Sequence, residues 1–146
     1  MSSITASQFQ QAVGEITDQI KHEMERRSVL AANELRSSAL EVLRGQRSGR
    51  VYTVPGSKAK YRASAPGEPP AARTGNFRLS WQPASKVVFG SYISRIESDL
   101  RTENGKYTLG QILEDGTSRM ASRPYQDRVL EHSEPSILKI YNQPYF

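Results

Sequence analysis

With 146 residues the chain fits one domain with a working core, but its hydrophobic share of 36% is low for a self-contained globule. No stretch approaches the roughly 18 apolar residues of a membrane span, and Met1 to Gln11 lacks the basic-then-apolar order of a secretion signal. The absence of cysteine excludes disulfides and thiolate metal sites and fits a cytosolic birthplace, while the net charge of +5 is unevenly placed.

The first segment has helical periodicity. Phe9, Val13, Ile16, Ile20 and Met24 fall on one stripe, which resumes at Leu35, Ala39 and Leu43. Thr5 or Ser7 suits the N-cap, Ser7 with Gln10 matches a capping box, and Gly45 is a suitable stop. A helix from about Ser7 to Arg44 spans roughly 55 Å at 1.5 Å per residue. It either bends near Arg26 to Ser28, covering a sheet, or projects and packs against copies of the chain.

From Arg44 to Arg78 eight basic residues (Arg44, Arg47, Arg50, Lys58, Lys60, Arg62, Arg73 and Arg78) meet one acid, Glu68. That segment carries +7, which leaves the rest of the chain at −2. A local positive field attracts nucleic acid or an acidic protein surface; the alternative is a solvated loop whose charges aid solubility. Val51, Thr53, Ala59 and Tyr61 alternate with polar neighbours around Pro55-Gly56, which predicts a basic β-hairpin over Arg50 to Arg62. Arg47, Arg50, Lys58, Lys60 and Arg62, interleaved with Tyr52 and Tyr61, form the candidate DNA-facing patch. Pro66, Pro69 and Pro70 then make an extended arm that cannot be a central strand.

Lys86 to Phe89 reads as a short apolar strand broken by Gly90-Ser91. Beyond it, Tyr92, Ser94, Ile96, Ser98 and Leu100 alternate with Arg95, Glu97, Asp99 and Arg101, the pattern of a half-buried strand. Helical spacing of Ile93, Ile96 and Leu100 competes with it. Asn104-Gly105 supplies a tight turn. Thr108 to Asp115 predicts a short helix, with Leu109, Ile112 and Leu113 inward and Gly116 as its stop. Pro124 suits the first position of a last helix with Val129 and Leu130 inward, kinked or restarted at Pro135. Phe77 and Trp81 read as core anchors, with a partner contact as the alternative.

Catalytic equipment is missing from the sequence. His22 and His132 sit in amphipathic helices among charged neighbours and form no paired ligand motif. There is no nucleophile elbow and no glycine-rich phosphate loop. No acid stands two residues before a lysine, which removes one nuclease element. Glu97 and Asp99 share a strand face, but Arg95 and Arg101 flank them as a surface ion-pair ladder. No cofactor or metal is expected, and the chain is read as a non-enzyme. The over-long helix, the arm (Pro66, Pro69, Pro70) and the aromatic tail (Tyr145, Phe146) make poor use of a monomer and become useful as assembly contacts.

The stretch A-S-A-P-G-E-P-P-A-A-R-T-G-N-F-R-L-S-W from Ala63 to Trp81 resembles the "S-A-P-G-E-P-P … T-G-x-L-R-x-S" block of tailed-bacteriophage neck and tail-completion proteins. G-Q-I-L-E-D-G-T-S-R-M-A-S-R-P-Y-Q-D-R-V-L-E from Gly110 to Glu131 is similar to that family's second block. Gly75, Phe77, Arg78 and Ser80 match the first, and Glu114, Gly116, Thr117, Arg123, Pro124 and Tyr125 the second, with Phe77 in place of leucine and Tyr125 in place of phenylalanine. The resemblance implies an α+β fold and a non-enzymatic role joining capsid to tail. It also implies a homo-oligomeric ring made in the host cytoplasm and built into the virion. Its partners would be phage head-completion and tail proteins, with non-specific contact to genomic DNA and no membrane. The expectation is one α+β domain over 1–146: a long helix (1–45) on a small antiparallel sheet, a basic hairpin and proline-rich arm (46–74), and sheet and C-terminal helices (75–146). A small, basic, sequence-independent nucleic-acid-binding protein is the alternative function.

Overall fold

A computed structural model describes residues 3–146 and shows an α+β fold. Helix α1 runs unbroken from Ala6 to Arg44, 39 residues or about 58 Å. Its capping box forms two residues earlier than Ser7–Gln10. Thr5 accepts from the Gln8 backbone, and the Gln8 side chain accepts from the Thr5 backbone. The helix is continuous through Arg26 to Ser28.

Strands β1 (Val51–Thr53) and β2 (Lys60–Arg62) form the predicted hairpin. Ser57 N–H bonds Val54 O across Pro55-Gly56, and Gly56 takes φ 74°, the geometry a type II turn needs. Tyr52 faces Tyr61, while Val51 and Thr53 share the other face with Arg62 and Lys60. Tyr61 therefore does not lie with Val51 as the sequence alternation suggested. The six-residue span from Val54 to Ala59 sets a register one step away from that pattern.

The short helix α2 (Asn76–Leu79) leads into a second hairpin, β3 (Gln82–Val88) and β4 (Ser91–Glu97). Strand β3 starts earlier than the apolar run suggested, because in a two-stranded sheet Pro83 always lies on an edge. Phe89 is not a strand residue. With Gly90 it forms the turn, at φ 49° and 78°, as a tight two-residue hairpin requires. Tyr92, Ser94 and Ile96 of β4 face inward as alternation predicted, which decides against the helical alternative. Helix α3 (Leu109–Asp115) ends at Gly116 in the left-handed region.

Helix α4 (Gln126–Tyr141) begins after Tyr125, so Pro124 precedes the cap rather than opening the helix. Nor does Pro135 break it. Pro135 and Glu131 are both exposed, so the carbonyl that loses its donor faces water. Val129 is buried, but Leu130 is 57% exposed and points away from the core.

Helix α4 and the β3–β4 hairpin pack against the same half of α1. Small buried residues there (Ser28, Ala31, Ala32, Ser38, Ala39) let the backbones approach closely. Phe77, Trp81 and Tyr125 form an aromatic triangle with centroids 5.5–5.7 Å apart, packed with Ala39, Leu43 and Val129. Trp81 and Phe77 are thus core anchors. Arg27, fully buried, ties the C-terminal segment to α1. Its guanidinium donates to Glu23 (2.8 Å), Tyr141 O (3.1 Å) and Pro144 O (2.8 Å), and lies 4.0 Å from the Tyr145 ring centroid. Arg27→Ala should lower the unfolding free energy by about 2–4 kcal/mol, through poorer packing and two carbonyls left without their donor. Urea unfolding measures this, and an unchanged midpoint would contradict the clamp.

Candidate functional site

Of the ten motif positions, Phe77 and Tyr125 belong to the aromatic triangle, and the others shape the turns, caps and ties of the two segments that carry it. Gly75 adopts φ 82° ahead of α2. Phe77 stacks edge-on to both Trp81 and Tyr125. Arg78 Nε donates to Leu40 O on α1 (2.9 Å), and Ser80 Oγ donates to Phe77 O (2.7 Å) beside Ser98 Oγ. The Glu114 carboxylate accepts from the backbone N–H of Tyr125 and Gln126, supplying the cap that α4 lacks within its own sequence. Gly116 at φ 79° turns the chain against Ala121 and Ser122. Thr117 closes a small turn with Arg119 and Met120, and Arg123 N–H bonds Leu113 O, which seats Pro124 and Tyr125. Tyr125 donates its hydroxyl to Gly110 O (3.1 Å), and burial pushes its pKa up to about 12.

The proline-rich arm does not reach outward. Pro69 and Pro70 are buried by their own chain, so they do not project as a reaching arm; Pro66 stays exposed. Two clips hold the arm back. Arg47 donates to Pro70 O (3.1 Å), Val42 O and Gln46 O, and its partial burial lowers its pKa. Arg47 is therefore an internal brace and leaves the candidate DNA-facing patch. The carboxylate of Glu68 accepts from the Ser48 hydroxyl, Ser48 N–H and Ala65 N–H, and these bonds hold its pKa down to about 2. Arg128 adds a bond to Gly67 O (3.1 Å).

Arg50, Lys58, Lys60 and Arg62 remain exposed on or beside the hairpin. They do not share one face. Lys60 and Arg62 lie with Thr53 and Val51, whereas Arg50 sits over the Tyr52 ring on the other side (5.8 Å). Tyr145 folds back onto Met24 and Arg27, so it too serves its own chain; Phe146 is 80% exposed. His22 is exposed, and His132 bonds Ser38 Oγ from the α4 surface. Glu97 pairs with Arg95, but Asp99 lies beyond the end of β4 and pairs with no arginine among the described residues, so only one rung of the expected ladder forms. Among the described residues no group of acidic or histidine side chains could hold a metal ion, and no helix is long and apolar enough to cross a membrane.

What remains unpartnered is the first half of α1. Every residue from Ser3 to His22 is exposed, and the predicted stripe lies open: Phe9 63%, Val13 46%, Ile16 48%, Ile20 38%. The body's outermost hydrogen bond to this helix is Tyr92 Oη to Lys21 O (3.3 Å). Of the two sequence alternatives, the helix projects.

No family model matches the chain, and no match emerges among curated proteins or solved structures.

Sequence reading missed the roles of Glu68, Arg27 and Gly110. Only Glu68 carried a signal, as the lone acid in a basic segment. Gly110 matters because a Cβ there would stand 2.8 Å from the Tyr125 hydroxyl. A carboxyl with a depressed folded pKa stabilises above its ordinary value and loses that contribution as pH falls through the folded one. Glu68 should therefore release the arm between pH 4.5 and about 2. Amide shifts of Ser48 and Ala65 should titrate near pH 2 in the native protein and not in Glu68→Gln; a native midpoint near 4.5 would remove the latch.

Proposed function

We propose that this chain is a non-enzymatic structural protein of the tailed-phage head–tail connector, a neck or tail-completion component that assembles as a ring at the capsid–tail junction. The projecting half of α1 carries the reading. A monomer gains nothing from about 25 Å of free helix with an apolar stripe, whereas a subunit buries it on assembly. The motif positions support it as well: all ten are spent on shaping the body, and none is held ready for chemistry. In this reading the protein is made in the host cytoplasm and joins head-completion and tail proteins in the virion. Disrupting the gene in its phage should leave DNA-filled heads and free tails unjoined in electron micrographs. Intact infectious particles from the disrupted genome would dismiss the reading.

A basic nucleic-acid-binding role is the second reading, favoured by the exposed Arg50, Lys58, Lys60 and Arg62. In the connector it becomes non-specific contact with passing genomic DNA. Such contact is a phosphate interaction, so affinity for any duplex should fall steeply with salt. Lys58→Ala with Lys60→Ala should flatten the log–log slope by about 0.9 for each phosphate that is no longer neutralised. An unchanged slope would remove the hairpin from any DNA path.

A further inference from the structure

The same chain carries a second unpartnered apolar surface at the opposite end of α1. A groove of about 570 Å³ opens beside Leu43, with Phe77, Leu109, Leu113 and Met120 lining it and the folded-back arm from Pro70 to Thr74 as one wall. Its volume lies in the range of sites that seat apolar groups. Arg73, Arg78, Arg101 and Arg123 are among its lining residues, and no acidic residue lines it. The projecting helix has the opposite character. Between Ser3 and Ile20 the charged residues are Glu15 and Asp18, with no lysine or arginine. Gln10, Ala12, Thr17 and Gln19 border the stripe, so close approach strips water from no charge.

The molecule cannot join these surfaces to each other. Ile16 and Leu43 sit on one continuous helix, about 40 Å apart at 1.5 Å per residue. Pairing two stripes is the competing arrangement. It would leave the groove empty.

We infer that the N-terminal half of α1 from one copy docks its Phe9–Val13–Ile16 stripe into the arginine-lined groove of the next copy. The contact is head-to-tail: each subunit offers a helix at one end and receives one at the other. Contacts of this kind generate rings when the rotation closes and filaments when it does not. The proline-rich arm then acts as a wall of the receiving groove, not as the reaching element. This inference rests on the connector reading for its ring, but the contact itself is testable apart from it.

The chain has no cysteine, so engineered thiols report cleanly. Ile16→Cys and Met120→Cys proteins, mixed under mild oxidation at high concentration, should form the crossed disulfide between the two variants. Dimers of Ile16→Cys alone would show stripe-to-stripe pairing and overturn the inference, as would the absence of any disulfide. A second mixture fixes polarity. Val13→Gln with Ile16→Gln removes the donor at exposed positions, and Arg73→Glu with Arg101→Glu removes the acceptor. Each should stay monomeric alone, and together they should form one-to-one pairs that grow no further; failure to pair also overturns it. A crossed disulfide in a protein whose gene is dispensable for head–tail joining would sink the connector reading alone. Loss of joining without any crossed disulfide would sink only the docking.

Discussion

The aromatic triangle of Phe77, Trp81 and Tyr125 fastens α2, the β3–β4 hairpin and α4 to the C-terminal half of α1. Each edge-to-face pair adds about 0.5–1.5 kcal/mol beyond the area it buries. Phe77 lies within α2 and Trp81 just after it, whereas Tyr125 opens α4, so the triangle joins two stretches that are distant in the chain. Polar ties follow the same seam: Arg36 to Trp81 O, Arg78 to Leu40 O and Ser94 to Ser28 O all cross onto α1 between Ser28 and Leu40. Everything else in the molecule is placed by that seam.

One consequence is the division of α1. The body is wide enough to cover it only from about Lys21 onward, where Tyr92 reaches the helix backbone. Clamps at this boundary, Glu23 with Arg26 and Arg27, and Arg27 with the C-terminal segment, stiffen the point where the rod leaves the body. The free half remains helical because it continues a helix already nucleated and packed, which spares it the nucleation cost an isolated peptide would meet.

The second consequence is the arm. Three prolines and a local excess of positive charge give it an extended backbone, yet it lies against the body because Glu68 and Arg47 satisfy its backbone groups from either side. The single acid in the basic segment thereby converts a reaching element into a wall. This conversion moves the outward-facing role from the prolines to the helix.

Features that depend on short-range spacing are legible in the chain without its fold. The stripe of α1, the Pro55-Gly56 turn, the alternation of β4 and the Gly116 stop each follow from local backbone preference and periodicity, and each is present. The misreadings share one cause. Residue type alone assigns Pro69, Pro70 and Arg47 to the surface, Tyr145 to a partner contact and Leu130 to the core, whereas the outcome depends on which distant segment lies over each of them. That is settled by packing: Arg47 finds Pro70 O and Tyr145 finds Arg27 across chain separations that no local pattern encodes. Whether the long helix bent or projected was likewise a question of how much body there was to cover it.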